Sequence, residues 1–123
     1  ALISLTRGEG WGLPMLEAAA SGLPVITTNW SGQLDFLRKG RFIPVGYTLN
    51  DIPKSRIDNQ IFVSGAKWAM PDESDAKRKI QKFRDKPEIP TKWAAEMMQI
   101  IKDEFSQDAI CLAYDSAIGD IIK

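Results

Sequence analysis

Two short apolar runs flank a glycine-rich turn and a segment one helix long, and this order constrains the fold more than any other feature of the sequence. Residues 1–6 are apolar and unbroken, which is typical of a strand buried in a parallel sheet. Pro14 favours a helix start and Gly22 a helix end. A β-branched run over residues 24–28 follows. A strand, a helix and a strand form a βαβ unit, so the sequence predicts the α/β class with a parallel sheet.

A second short helix and a further strand are predicted directly after this unit. Ser31 has the side chain of an N-cap, and we expect it to begin a helix over residues 32–38 that Gly40 ends. Residues 42–45 have the composition of a strand. Because Pro44 lacks the N–H that a central ladder needs, this strand is expected at a sheet edge.

The chain is expected to form one domain with three regions. Residues 1–46 contain the strands and helices of the parallel sheet. Residues 47–71 are polar and rich in turn residues, which predicts an irregular excursion on the surface, with residues 61–63 as either a short strand or a docking segment. Residues 72–123 are predicted to be helical.

Three helices are predicted in the C-terminal region from their caps and apolar stripes. Asp72 or Ser74 caps the first, which runs to about residue 84, Thr91 caps the second and Ser106 caps the third. Their inner faces are predicted to consist of Ala76, Ile80 and Phe83 in the first, Trp93, Met97, Ile100, Ile101 and Phe105 in the second, and Ile110, Tyr114, Ala117, Ile118 and Ile121 in the third.

Composition excludes several kinds of site and partner. With 16 basic and 16 acidic residues the net charge is zero, so no global attraction to nucleic acid is expected. The chain has no histidine, which excludes Ser-His-Asp and Cys-His sites within it and argues against a zinc site. The lone Cys111 follows a helical pattern and suits a reducing compartment. No metal site is therefore expected.

The sequence favours a cytoplasmic protein. No apolar run approaches the length of about 18 residues that a membrane-spanning helix needs. The first residues lack a basic leader, and the absence of an initial Met indicates a piece excised from a longer protein. The basic residues between positions 77 and 86 are explained by a solvated helix face. Attraction to an anionic substrate or to anionic lipid, the latter with a peripheral position at the inner membrane face, is the alternative.

The turn before the first predicted helix has the chemistry of an anion site. A helix that begins after a glycine turn presents unpaired N–H groups and the positive end of its dipole. Gly10 and Gly12 let the backbone approach a ligand closely. Glu9 and Glu17 flank the turn, and a carboxylate accepts paired hydrogen bonds from vicinal hydroxyls. The stretch therefore suggests a ligand with phosphate in the middle and a polyol at each end, as in a nucleotide-sugar.

A plainer interpretation of the same turn stays open at this point. Trp11, between the two glycines, is positioned to touch a ligand. The turn also fits a simple connection in which Glu17 only favours the positive end of the helix. The chain contains neither the G-x-G-x-x-G of dinucleotide-binding turns nor the G-K-[ST] of a P-loop, so those two nucleotide sites are excluded.

Residues 9–26 closely resemble the E-x7-E segment of retaining glycosyltransferases of the GT-B fold, in the large family 4 group. That family typically reads E-G-F-G-L-P-x-L-E-A-x-A-x-G-x-P-V-V, and the match is nearly continuous, with Trp11 in place of the commoner Phe. Residues 31–35 resemble the second glycine turn of the family, with Asp35 where Glu is commoner. The resemblance covers residues 1–46 well. It implies the Rossmann-like parallel sheet of a GT-B C-terminal domain, present here incompletely.

The resemblance implies a role for each residue of the turn. Glu9 is expected to be catalytic and to face the hydroxyls of the donor sugar near the anomeric centre, and Glu17 to hold the ribose of the nucleotide. The backbone expected to lie against the sugar and diphosphate belongs to four donor-binding residues, Gly10, Trp11, Gly12 and Leu13. Such enzymes generally need no metal or other cofactor, because basic side chains and helix N-termini stabilise the leaving diphosphate.

The resemblance also implies partners. The donor is a nucleotide-diphosphate sugar, and the acceptor is a glycan, a lipid or a protein. The acceptor-binding N-terminal GT-B domain, which completes the cleft, is expected outside this chain, so the isolated chain is expected to be inactive. The apolar last helix is expected to pack on that domain, with a homodimer of the fragment as the alternative. A nucleotide-sugar epimerase of the same fold and a non-catalytic nucleotide-sugar-binding module stay open as other functions.

Overall fold

The computed structural model describes residues 1–119 and Ile121, in which strands and helices alternate before three final helices. Residues 120, 122 and 123, at the end of the predicted helical region, lie outside the described residues. The elements show the predicted α/β class. In chain order they are β1 (Leu2–Ser4), α1 (Leu13–Ala20), β2 (Val25–Thr28), α2 (Leu34–Leu37), β3 (Ile43–Val45), β4 (Tyr47–Asp51), a 3-10 turn (Lys54–Arg56), β5 (Lys67–Pro71), α3 (Glu73–Asp85), α4 (Glu88–Phe105) and α5 (Gln107–Ile118).

The first three strands form a parallel sheet in the order β1, β2, β3. Ile26 of the middle strand pairs with Ile3 on one side and with Ile43 on the other. Parallel neighbours need a crossover connection, which α1 and α2 supply. The predicted Rossmann-like parallel sheet is therefore confirmed, and β3 is an edge strand of the described sheet, as Pro44 indicated.

The middle strand is buried because helices cover both faces of the sheet. Val25 belongs to a core cluster with α1, α2 and α4, whereas Ile26 belongs to a second cluster with α3. Successive side chains of a strand point to opposite faces, so neighbouring residues serve different clusters. The first cluster contains Met15, Ala18, Ala19, Val25, Phe36, Leu37, Met97 and Ile101, and the second contains Ile26, Val45 and Ala76.

Helix α1 begins and ends close to the predicted positions. Pro14 lies in its first turn. At its C-terminal end the Gly22 N–H donates to the Ala19 carbonyl at 3.0 Å, and the Leu23 N–H donates to the Ala18 carbonyl at 2.9 Å. These two bonds are the Schellman pattern, which satisfies carbonyls that the helix itself leaves free.

Three local expectations are wrong. β1 was expected to be buried, but Ile3 is 47% exposed because β1 is an edge of the described sheet. Ser31 was expected to cap α2, but Gln33 is the N-cap residue and the Ser31 side chain bonds elsewhere. Thr91 was expected to cap α4, yet α4 begins three residues earlier, at Glu88. Pro90 fits in the first turn because the N–H that it lacks has no intrahelical partner there.

Residues 47–71 contain regular structure where an irregular excursion was expected. β4 and β5 pair antiparallel, from Tyr47 opposite Pro71 to Asp51 opposite Lys67. Residues 61–63 form no strand and lie in the loop that joins the two. The expectation fails because the polar residues of an exposed two-stranded ribbon lack the alternation of a half-buried strand. We call this ribbon and its loop, residues 47–71, the hairpin.

The caps predicted for α3 and α5 are confirmed. The Asp75 N–H donates to the Asp72 carboxylate at 3.0 Å, and the Ala109 N–H donates to the Ser106 hydroxyl at 3.3 Å. α3 packs through the buried Ala76 and its partly buried neighbours in the second cluster. α5 differs, because none of its described residues is buried and its predicted apolar face is exposed.

Asp75 fixes the point at which the chain leaves β3 for the hairpin. Its side chain is 11% exposed, and its Oδ2 accepts a hydrogen bond from the Gly46 N–H at 2.8 Å and another from Lys79 at 2.8 Å. Arg78 pairs with the other carboxylate oxygen, and Lys79 also donates to the Pro44 carbonyl. The Gly46 N–H, followed by Lys79, lowers the pKa of Asp75 to about 2.

We predict that the contribution of Asp75 to stability depends on pH in acid. Because the folded state lowers the pKa of this carboxyl from 3.8 to about 2, the contribution is complete above about pH 4 and is lost as the pH falls towards 2. The difference in unfolding free energy between the wild type and Asp75→Asn should therefore shrink over this range in urea titrations. Asp115→Asn, which removes an exposed carboxylate from α5, is the control and should cost little at every pH. A difference for Asp75→Asn that is constant from neutral pH down to about 2 would contradict the prediction.

Candidate functional site

The two glycine turns meet at the carboxyl edge of the parallel sheet. The first turn, residues 8–12, follows β1, and the second turn, residues 31–33, follows β2. β1 and β2 are paired parallel neighbours, so their following loops lie side by side. In open α/β sheets this crevice beyond the strand ends is where ligands bind.

Ser31 joins the two turns through the backbone of Glu9. The Glu9 N–H donates to Ser31 Oγ at 2.8 Å, and the Ser31 hydroxyl donates to the Glu9 carbonyl at 2.6 Å. The same carbonyl accepts a third bond from the Gly32 N–H at 3.1 Å. Ser31 has a φ of 84°, a left-handed conformation that is uncommon for a residue with a side chain. We call this set of bonds the Ser31 clamp, and it fixes the backbone at Glu9.

Close approach of the two turns requires glycine on both sides. A Cβ on Gly32 would overlap the Gly10 carbonyl and lie 2.9 Å from the Glu9 carbonyl oxygen, both of them backbone atoms. A Cβ on Gly12 would lie 2.9 Å from the Cβ of Gln33, and the φ of Gly12 is 86°. Any side chain at Gly12 or Gly32 would therefore push the turns apart.

The N-terminus of α1 has the free N–H groups that an anion site needs. Gly12 is the N-cap residue and offers no side-chain cap. Within the described part of the chain, four successive backbone N–H groups, those of Gly10, Trp11, Gly12 and Leu13, donate no hydrogen bond. They lie at the positive end of the helix dipole, where phosphate oxygens are favoured.

The carboxylates of Glu9 and Glu17 lie in different surroundings. Glu9 is half-buried in the clamped turn, whereas Glu17 is exposed on α1. Glu17 is the fifth residue of α1 and lies outside the first turn, where the effect of the helix dipole is concentrated. The helix dipole therefore gives little electrostatic support to the plainer interpretation of Glu17.

The ring of Trp11 packs on two aromatic side chains of the core. Its ring packs against Phe36 with 5.5 Å between the ring centroids and against Phe105 with 5.9 Å. It lies partly buried beside the first core cluster. The ring thus anchors the turn to the core, and contact between a ligand and the Trp11 backbone stays a prediction.

A comparison with known families identifies the family of this chain. The family model for glycosyl transferases group 1 matches residues 1–96. The chain belongs to this family. No curated protein and no solved structure gave a significant match. The matched range includes both glycine turns, the hairpin and α3, so the family domain extends well beyond the residues whose sequence resembles the E-x7-E pattern.

Gln33 is a buried polar residue of this glycosyltransferase domain that the sequence pattern does not reveal. It is fully buried beneath Gly12, and its Nε2 donates to the Thr28 carbonyl at 3.1 Å. This bond ties the second turn to the end of β2. In the sequence, Gln33 is marked only by being a polar residue next to the apolar side of a short helix. That pattern is common and does not predict a functional residue.

Arg7 and the hairpin form a further wall of the crevice, which the sequence pattern also misses. The Ala69 N–H of β5 donates to the Arg7 carbonyl at 3.0 Å, and the Arg7 guanidinium lies 4.4 Å from the centroid of the Trp68 ring. Trp30, after β2, packs on Tyr47 at the base of the hairpin with 5.4 Å between the ring centroids. The hairpin is therefore held against both loops of the site.

The described residues contain neither a metal-binding cluster nor a membrane-spanning helix. Within residues 1–119 and at Ile121 there is no group of three or more His, Cys, Asp or Glu side chains arranged to hold a metal ion. None of the described helices combines the length and the apolar character that crossing a bilayer demands.

We predict that Gly32→Ala destabilises the domain by about 1–3 kcal/mol, because the added methyl group collides with backbone atoms of the first turn. Gly10→Ala is the matched control, since a Cβ at Gly10 meets no atom within 4 Å, and it should change stability by less than about 0.5 kcal/mol. Urea denaturation of both variants measures the difference. Equal stability of the two variants would show that the turns do not depend on close contact.

Proposed function

We propose that the full-length protein transfers a sugar from a nucleotide-diphosphate donor to an acceptor with retention at the anomeric carbon, and that this chain supplies part of the donor site. Membership of glycosyl transferases group 1 supports sugar transfer in general. The observation that carries the finer proposal is the clamped turn, in which the backbone of Glu9 is fixed directly before the free N–H groups of α1.

The donor fits this arrangement group by group. Its diphosphate would bind at the N–H groups of residues 10–13, which supply positive partial charge without a metal ion. Its sugar hydroxyls would bond to Glu9, and its ribose hydroxyls to Glu17, about one turn along α1. We propose no cofactor, because these backbone groups, with basic side chains from elsewhere in the protein, stabilise the leaving diphosphate.

The Ser31 clamp gives Glu9 a mechanistic advantage. A group that must stabilise charge near the anomeric centre works best when its position is set before the reaction begins. The Ser31 hydroxyl accepts one bond from Glu9 and donates one to it, and the Gly32 N–H donates a third, so the peptide groups on both sides of Glu9 are restrained. We therefore assign Ser31 as a positioning residue for Glu9.

We predict that Glu9→Gln in the full-length protein lowers kcat at least about 100-fold, with a smaller change in donor affinity, because the carboxylate charge is lost at the reacting end of the donor. Radiolabelled sugar transfer measures kcat, and thermal unfolding confirms that the fold is intact. Undiminished transfer by a folded variant would show that Glu9 has no catalytic role.

The wild-type reaction separates the other two functions. Formation of an epimerised nucleotide-sugar without acceptor would favour the epimerase, and donor binding without any turnover would favour the binding module.

We predict that Glu17→Ala weakens binding of the nucleotide donor about tenfold, since it removes a charged acceptor of hydrogen bonds from the ribose. Isothermal titration calorimetry with the nucleoside diphosphate measures the affinity. Asp115→Ala removes an equally exposed helical carboxylate from α5 and is the control, with no change expected. Unchanged affinity in Glu17→Ala would refute the ribose assignment.

A further inference from the structure

A groove lies at the β3 edge of the sheet, where the helices that cover the two faces of the sheet come together. α3 and α4 belong to different core clusters and cover opposite faces. α3 ends at Asp85 and α4 begins at Glu88, and the groove runs between the last turns of α3 and the first turns of α4. Its volume of about 400 Å³ is in the range of small-molecule sites. We call it the α3–α4 groove.

The α3–α4 groove is remote from the two glycine turns. Phe42 and Ile43, at the amino end of β3, line its sheet side. The glycine turns follow the carboxyl ends of β1 and β2, which run parallel to β3, so they lie at the opposite end of the strands. Residues 8–17 and 31–33, all of which the structure describes, do not line the groove. A ligand in this groove would therefore not touch the proposed donor turn.

We propose that the α3–α4 groove binds a soluble amphiphilic anion, with its apolar chain in the groove and its carboxylate or phosphate beside the lysines of α3. This ligand is additional to the sugar donor and to the acceptor. The lining divides into an apolar part and a cationic part, and each part accounts for one half of the proposed ligand.

The apolar part of the lining comes from three elements. Its residues are Phe42 and Ile43 on the sheet side, Phe83 of α3, and Ile89, Pro90 and Trp93 of α4. All except Ile89 are half-buried, and Ile89 is 61% exposed. An apolar chain in the groove would remove the rest of this surface from water, which is favourable in proportion to the area covered.

The cationic part of the lining consists of Lys79, Lys82 and Lys86, and no carboxylate is among the described lining residues. Lys79 is engaged, because it donates to Asp75 at 2.8 Å and to the Pro44 carbonyl. Lys82 and Lys86 are exposed and make no ion pair within the part of the chain that the structure describes. The groove therefore carries two free positive charges, which attract an anion and repel a cation.

Pro44 prevents a peptide from adding a strand along the groove. The Val45 carbonyl accepts a bond from the Asn29 N–H on the β2 side, so the backbone groups of Pro44 point away from β2. Pro44 has no N–H, and its carbonyl already accepts a bond from Lys79. Main-chain pairing at this edge is therefore blocked, and a ligand must be held by its apolar surface and its charge.

The shape of the apolar surface favours a soluble ligand over a bilayer. A helix or loop that binds a membrane surface presents several protruding apolar side chains. Among the described lining residues, Ile89 is the one large apolar side chain with more than half of its surface exposed. The other apolar residues are recessed between α3 and α4. A single chain that enters the groove can reach them, whereas the flat surface of a bilayer cannot.

The test measures binding of four probes to the full-length protein at neutral pH: decanoate, decanol, decyltrimethylammonium and acetate. Isothermal titration calorimetry gives the affinities. We expect decanoate to bind at least about fivefold more tightly than decanol or decyltrimethylammonium, which lack the negative charge, and at least about 100-fold more tightly than acetate, which lacks the chain. Equal binding of decanoate and either of the other two decyl probes would overturn the proposal.

Three double variants test the two free lysines. Lys82→Gln with Lys86→Gln should weaken decanoate binding at least about fivefold. Lys54→Gln with Lys102→Gln removes two exposed lysines outside the groove and should change the affinity by less than about twofold. Lys82→Glu with Lys86→Glu should reverse the preference, so that decyltrimethylammonium binds more tightly than decanoate. Equal weakening by the two glutamine pairs would refute the groove as the site.

A pair of single variants tests the apolar part. Ile89→Asn should weaken decanoate binding about threefold to tenfold, because it removes the most accessible apolar side chain of the lining. Leu112→Asn changes a residue that is 69% exposed on α5 and is the matched control, with no effect expected. Equal affinity in Ile89→Asn and in the wild type would contradict the placement of the chain in the groove.

Thermal unfolding separates binding in the groove from the action of a detergent. A ligand that binds the folded state raises Tm. Decanoate below its micellar concentration should therefore raise the Tm of the wild type, and the rise should be lost in Lys82→Gln with Lys86→Gln. A Tm that falls on addition of decanoate to the wild type would overturn the proposal.

Vesicles distinguish the soluble ligand from a membrane surface. We expect no co-sedimentation with phosphatidylcholine vesicles that contain phosphatidylglycerol beyond that of Lys82→Gln with Lys86→Gln. Co-sedimentation that depends on these lysines, without binding of free decanoate, would overturn the proposal in favour of a membrane contact.

Discussion

The contact between the two glycine turns is the constraint on which the site depends. One serine hydroxyl bonds to both peptide groups of Glu9, and Gly32 allows the two backbones to touch. The turns belong to neighbouring parallel strands, so the clamp also reinforces the edge at which those strands end. Glu9, the residue with the proposed chemical role, is thereby placed by the Ser31 hydroxyl and the Gly32 N–H of a second loop and not by its own side chain.

The hairpin depends on a separate set of polar contacts. Asp75 binds the backbone at Gly46, where the chain leaves the sheet, and Ala69 bonds to the Arg7 carbonyl, where the hairpin reaches the first loop. Between these points lie few buried side chains, since Ile52 and Ala69 are the buried residues of the hairpin. The position of the hairpin relative to the first glycine turn is therefore set by hydrogen bonds and aromatic contacts more than by a hydrophobic core.

Local signals predicted much of the fold and part of the candidate site. The βαβ unit, the edge position of β3 and the caps at Asp72 and Ser106 follow from short patterns, because strand burial, proline chemistry and helix capping act over a few residues. The antiparallel pairing of the hairpin was missed. Both strands are exposed, so neither shows the alternation of apolar and polar residues that predicts a strand. They also lie far apart in the sequence, so no short turn signal predicts that they pair.

The sequence by itself determined the α/β class, the glycine turn before α1 and the two glutamates around it, because each depends on residue type and spacing. Only the tertiary structure decided what Ser31, Trp11 and Arg7 do. Ser31 looked like a helix cap and clamps Glu9, and the Trp11 ring packs on Phe36 and Phe105. For Ser31 both a helix N–H and the Glu9 backbone were chemically acceptable partners, and the parallel pairing of β1 and β2 decided between them because it brings the two loops side by side.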